Sequence, residues 1–189
     1  MSREFLGDRE RALEEAFFAQ QDEALLRRLR EAEATKSKKE ALFAASGISD
    51  DAVLERLVAL GVDSATMAAL SLVPLVLVAW ADGTMDPKER DAALSAAAEA
   101  GLDKQSPGHQ LLDRWLATRP PPQLLSAWTD YIRAISSTLN AEGKQNLKLD
   151  LIGRARQVAE ATGGFLGVGW KTSPAEEGVL ARLERAFAA

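Results

Sequence analysis

The feature that most constrains the fold is a highly charged run from Asp8 to Glu40 that contains neither glycine nor proline. Seventeen of its 33 residues are charged, and most of the others are alanine, leucine or glutamine. Such residues favour helix, so the run predicts one long helix. After Thr35-Lys36-Ser37, the sequence predicts a second, short helix that runs to Ser46 and is ended by Gly47. We therefore expect residues 1–46 to form a charged helical extension.

The apolar residues of this extension form a stripe that is too thin for a helix buried on all sides. Two interpretations are open. The charges either form an ordinary solvated helix face, or the helix is an arm that binds a protein partner. In the second case we expect the partner-binding residues to be Leu13, Phe17, Leu25 and Leu29. The same helix could also join two copies of the chain into a homo-oligomer.

Glycine and proline divide the rest of the chain into segments with helical spacing, and no segment has a convincing strand pattern. The most apolar segment, Met67 to Ala81, contains Pro74, which should kink or divide it. This segment belongs in the core, and its predicted central residues are Leu72, Val73, Leu75, Val76, Leu77, Val78 and Trp80. The triple proline at residues 120–122 predicts a rigid corner. We expect an all-α fold, with residues 47–189 forming a compact multi-helix domain.

Composition excludes several classes of function. The chain has no cysteine, which rules out disulfides, thiolate metal sites and cysteine nucleophiles. Its only histidine, His109, is expected to be an ordinary surface residue, and we predict a protein that is not an enzyme. The net charge of -5 and the pI near 5.1 argue against nucleic-acid binding. The apolar segment is too short to span a bilayer and the N-terminus has no secretion signal, so we expect a cytoplasmic location.

A helix-capping pattern occurs twice in the sequence. Asp86-Pro87-Lys88-Glu89 has a capping acceptor, a proline at the first helical position and a glutamate three residues after the cap. Ser173-Pro174-Ala175-Glu176 repeats this pattern. The alignment predicts pseudo-repeated helix-turn-helix units, with chance similarity as the alternative. In the second copy Gly169 takes the place of Asp82, so the caps recur and the additional carboxylate does not.

The turn around the first capping box is rich in carboxylates. Asp82, Asp86, Glu89 and Asp91 lie within ten residues and could converge on a hard divalent cation, Ca²⁺ before others, because such ions prefer oxygen ligands. The spacing does not fit an EF-hand loop. The alternative interpretation is purely structural, with the aspartate and the glutamate of the capping pattern serving only as helix caps.

A longer motif surrounds this turn, Leu77-Val78-Ala79-Trp80-Ala81-Asp82-Gly83-Thr84-Met85-Asp86-Pro87-Lys88-Glu89. It resembles the signature of tellurite-resistance TerB-like domains, in which Ala-Asp-Gly is followed by an acidic helix start. The resemblance covers residues 66–187 and implies an all-helical, cytoplasmic, non-catalytic module of stress and metal resistance. It also implies divalent-cation binding at Asp82, Asp86 and Glu89, and association with protein complexes at the membrane.

The start of the extension, from Asp8 to Glu14, resembles the zeta-type inhibitor of bacterial ATP synthase, which serves as an analogy for a helical arm. The leading hypothesis is a TerB-like stress-response or scaffold protein that binds a divalent cation at residues 82–91. The alternative is a protein-interaction module that uses the N-terminal arm and holds no metal. A hydrolase that uses carboxylates and a bound metal is the third hypothesis.

Overall fold

The computed structural model describes residues 2–162 and 172–188, and it describes side chains over residues 23–160 and 172–188. These residues form helices and no strand, which confirms the predicted all-α fold. The α-helices are α1 (Ser2–Ser46), α2 (Asp51–Ala59), α3 (Val73–Ala79), α4 (Pro87–Glu99), α5 (Pro107–Ala117), α6 (Gln123–Ser137), α7 (Ala141–Thr162) and α8 (Pro174–Glu184). Two 3-10 helices, Met67–Leu72 and Arg185–Phe187, complete the described elements.

The N-terminal extension is a single helix, α1, and not the long helix followed by a short one that the sequence predicts. The expected break at residues 35–37 is wrong because the side chain of Thr35 is accommodated within the helix. Its hydroxyl donates to the carbonyl oxygen of Glu31, one turn earlier, at 2.9 Å. The predicted stop is confirmed, since Gly47 has a φ of +72° and donates its N–H to the carbonyl of Phe43. At about 1.5 Å per residue, α1 is about 67 Å long.

The apolar segment at the centre of the core is divided at Pro74, as predicted. A 3-10 helix precedes this proline, which occupies the first turn of α3, where its missing N–H has no intrahelical acceptor to lose. Helix α3 packs against α4, α5, α6, α7 and α8 and is therefore the central element. Five of the seven predicted core residues are fully buried, whereas Leu77 and Trp80 lie at the edge of the core.

Two tryptophans tie other elements to this centre. Trp128 of α6 is fully buried, and its indole N–H donates to the carbonyl oxygen of Leu70 at 3.0 Å. The ring of Phe187 packs edge-on against it, with the ring centroids 6.1 Å apart. Trp80, just after α3, donates to the carbonyl oxygen of Trp115 in α5 at 2.8 Å. These bonds satisfy buried polar groups and fix the positions of α5 and α6 relative to α3.

The triple proline connects α5 to α6, as the sequence predicts. No helix of the described residues is long and apolar enough to cross a membrane.

The division of the chain into an extension of residues 1–46 and a domain of residues 47–189 stays a prediction. The last turns of α1 do contribute to the core, because Leu42 is fully buried among the residues of the helical body.

Candidate functional site

The acidic turn predicted as a cation site connects α3 to α4. Gly83 forms the tight part of the turn with a φ of +92°, and its N–H donates to the carbonyl oxygen of Trp80 at 3.0 Å. The carboxylate of Asp82 accepts hydrogen bonds from the backbone N–H of Thr84 at 2.9 Å and from the Thr84 hydroxyl at 3.0 Å. These two hydrogen bonds stabilise the turn, and because Asp82 is exposed they lie on its solvent-facing side.

The start of α4 has the capping box that the sequence predicts. The carboxylate of Asp86 accepts a hydrogen bond from the N–H of Lys88 at 2.7 Å, and the N–H of Asp86 donates to the carboxylate of Glu89 at 3.0 Å. The structural role of these two residues is thereby confirmed. Asp91, two residues after Glu89 in α4, is exposed.

The second capping box is also present, at the start of α8. The hydroxyl of Ser173 accepts a hydrogen bond from the N–H of Glu176 at 3.2 Å, and the carboxylate of Glu176 accepts one from the N–H of Ser173 at 2.5 Å. Glu176 is buried, unlike the exposed Asp86 of the first box. Gly169, which the alignment sets against Asp82, lies outside the described residues.

The two capping boxes lie close enough for their glutamates to repel each other. The pKa of Glu89 is raised, first because the carboxyl is partly buried, and then because the charges of Asp82, Glu176 and Asp86 disfavour its ionised form. The hydrogen bond from the N–H of Asp86 acts in the opposite direction. The folded chain therefore places the buried Glu176 within electrostatic range of the exposed acidic turn, which forms an acidic surface.

This acidic surface is not a ready metal site in the part of the chain that the structure describes. No group of three or more histidine, cysteine, aspartate or glutamate side chains there has an arrangement that could hold a metal ion. Capping bonds already use oxygens of Asp86 and Glu89, and Asp82 bonds within its own turn. A cation site formed by Asp82, Asp86, Glu89 and Asp91 stays a prediction.

The second candidate site is the exposed arm, which we define as residues 23–38 of α1. No side chain of the arm is buried. Leu25, Leu26 and Leu29 have exposed fractions of 55%, 53% and 57%, and they form a contiguous apolar cluster, because residues three and four apart share a helix face. The side chains of Leu13 and Phe17, the other predicted partner-binding residues, lie outside the described ones.

Leu26 is not among the predicted partner-binding residues because it lies beside the predicted stripe. Its spacing of three residues from Leu29 was the signal that could have included it. The arm ends where α1 joins the body. There the ammonium group of Lys39 lies 2.7 Å from the carboxylate of Asp51 in α2, and the next turn buries Leu42.

No match was found when the chain was compared with profiles of known protein families, with curated proteins and with solved structures. The TerB-like resemblance over residues 66–187 therefore stays a prediction that rests on the motif from Leu77 to Glu89. The resemblance of the extension to the zeta-type inhibitor also stays a prediction.

Proposed function

We propose that the chain is a non-catalytic interaction module that binds a protein partner through the exposed arm. The observation that carries this proposal is the cluster of Leu25, Leu26 and Leu29, each more than half exposed on a helix segment without a buried side chain. A contiguous exposed apolar cluster of this kind marks an interaction surface more often than isolated apolar residues do. The exposed leucine of α7, Leu149, is 61% exposed and serves as a matched comparison outside the arm.

Little in the described part of the chain holds the arm in place. The ion pairs recorded along this part of α1, Arg27–Glu31 and Lys36–Glu40, have separations of 4.0 Å and are well exposed. Exposed pairs one turn apart each stabilise a helix by only about 0.3–0.5 kcal/mol. Burying the leucines against a partner would stabilise the helix further, at about 25 cal/mol per Å² of apolar surface removed from water.

The experiment begins with a photoreactive amino acid at position 26, which identifies the partner by crosslinking in the native cell. The purified partner is then titrated with the wild-type chain, the variant L25E/L26E/L29E and the control variant L149E. We expect the arm variant to lose binding and the control to retain wild-type affinity. Equal affinities of all three proteins would contradict the proposal.

A divalent cation at the Asp82 turn is a second candidate function. The observation that favours it is the electrostatic proximity of Asp82 and Glu176 to Glu89, since a cation would relieve this repulsion between carboxylates. Calorimetric titration with Ca²⁺, Mg²⁺ and Mn²⁺ tests it, with the variant D82N/E89Q as the control. Binding heat that the variant lacks would support the site, whereas absence of heat with the wild type would reduce the turn to its two capping roles.

The TerB-like resemblance supports further proposals about biological setting. We propose that the chain is a TerB-like protein of the cytoplasm that serves stress or metal resistance, and that its partner belongs to a protein complex at the membrane. The support is the motif from Leu77 to Glu89 together with the second capping box. A knockout strain tests this setting, because loss of the gene should increase sensitivity to tellurite.

A further inference from the structure

A groove of about 650 Å³ lies between the end of α3, the proline corner and α8. Its wall is largely apolar and includes the partly buried side chains of Leu77, Trp80, Leu125 and Val179 together with the prolines at residues 120–122. The volume falls within the roughly 300–1,000 Å³ of ordinary ligand pockets. An open apolar groove of this size fits the anchor residues of a docked helix.

Two arginines give this groove a positive rim. Arg119 precedes the prolines and Arg182 lies on α8, and both side chains are exposed. Neither forms an ion pair with any other residue that the structure describes. The guanidinium of Arg119 lies beside Gly83, 3.6 Å from the position that a Cβ atom would occupy there. The groove therefore suits a segment that combines large apolar side chains with carboxylates.

The sequence of α1 contains such a segment, from Leu13 to Glu23. It has four carboxylates, no lysine and no arginine, and it includes adjacent phenylalanines one turn after its leucine. Leu13 and Phe17 have the i, i+4 spacing with which a helix places two anchors in a groove. Its charge is opposite to that of the groove rim.

The segment cannot reach the groove of its own chain while α1 remains one continuous helix. At about 1.5 Å per residue, the segment lies about 35 to 50 Å from the end of α1 at Ser46. A body of about 140 residues has a radius of gyration of about 14 Å and is therefore about 37 Å across, so most of the segment lies further from Ser46 than the body extends. The groove of a second copy is therefore the acceptor that this geometry permits.

We infer that two copies of the chain associate reciprocally, each placing the segment from Leu13 to Glu23 in the groove of the other. The inference rests on the proposed function, because it names a second copy as a partner of the N-terminal helix. Leu13 and Phe17 fill the apolar groove, and the carboxylates of Glu14 and Glu15 meet the arginines at its rim.

Sedimentation of the full chain over a range of concentrations tests the inference, with charge reversals in each surface. The variants are E14R/E15R in the segment and R119E/R182E in the groove. Each alone should weaken self-association by about tenfold or more, because like charges then face each other. An equimolar mixture of the two should associate again, since both groove–segment pairs regain opposite charges. The control R114E/R133E reverses two exposed arginines outside the groove and should associate like the wild type.

The outcomes separate this inference from the proposed function. A wild-type chain that is monomeric at all concentrations would overturn the inference, and the arm could still bind a different protein. Association that survives R119E/R182E and is lost in E14R/E15R would also overturn it, because the helices would then pair along their lengths. Failure of the equimolar mixture to associate would also overturn the inference, because it would show that the carboxylates of the segment do not contact the arginines of the groove. The crosslinking experiment at position 26 tests the proposed function independently of all three results.

Discussion

Leu42 and Leu26 lie on the same helix and have opposite environments. Leu42 has no exposed surface and belongs to the core, whereas Leu26 is 53% exposed. We expect L42A to lower the free energy of unfolding by about 2–5 kcal/mol, because it leaves a cavity in the core. L26A should change it by no more than about 0.5 kcal/mol. Urea unfolding measures both values, and equal losses would show that the arm packs on the body.

Gly83 is the residue whose backbone determines the acidic turn. At a φ of +92° a side chain is strained, even though an added Cβ would meet only Arg119, at an ordinary contact distance of 3.6 Å. G83A should therefore lower the free energy of unfolding by about 1–2 kcal/mol. Gly178 is the control, because it lies within α8 in open space, where alanine should stabilise the helix by about 0.5–1 kcal/mol. Thermal unfolding in which both variants shift in the same direction would contradict this account.

The two capping boxes differ in how far local sequence predicts them. The pairs Asp86–Glu89 and Ser173–Glu176 were predictable because each forms within four consecutive residues. The repulsion between Glu89 and Glu176 was not, since it depends on how α4 and α8 are each placed against α3 and α7. The break predicted at residues 35–37 was wrong because such a turn signal does not by itself end a helix. A threonine in a segment that predicts a turn can remain in a helix if its hydroxyl donates a hydrogen bond to the carbonyl oxygen one turn earlier.

The acidic start of α4 should give stability a specific pH dependence. Because the pKa of Glu89 is raised in the folded chain, the folded state binds a proton more tightly than the unfolded state. This contribution to stability is present below the ordinary value of 4.5 and is lost as pH rises through the folded pKa.

The variant E89Q retains an oxygen that can accept the capping bond and does not ionise. Its free energy of unfolding, relative to the wild type, should therefore be higher at neutral pH than below pH 4.5, the ordinary value for glutamate. Urea unfolding at both pH values measures this difference. D91N removes one charge from an exposed position of the same helix and is the control. A difference between E89Q and wild type that is independent of pH would contradict the raised pKa.

At the scale of the whole molecule, the helical architecture was predictable from the spacing of apolar residues, prolines and glycines. The expected centre around Pro74 is confirmed because an apolar helix has no stable position except the core. The groove between α3, the proline corner and α8 was not predictable, since its walls come from segments far apart in sequence. The exposure of the arm was likewise left open by the sequence, because a thin apolar stripe suits both a helix on the body and a free one.

The central claim is that the arm, residues 23–38, buries no side chain against the described body of its own chain and is stabilised by a partner. Hydrogen–deuterium exchange of the dilute protein, and of its complex with the partner crosslinked at position 26, tests this claim directly. We expect the free arm to exchange much faster than the buried helix α6, because a helix without tertiary contacts opens readily. Binding should slow exchange at Leu25, Leu26 and Leu29. Protection of the free arm equal to that of α6, unchanged by the partner, would contradict the claim.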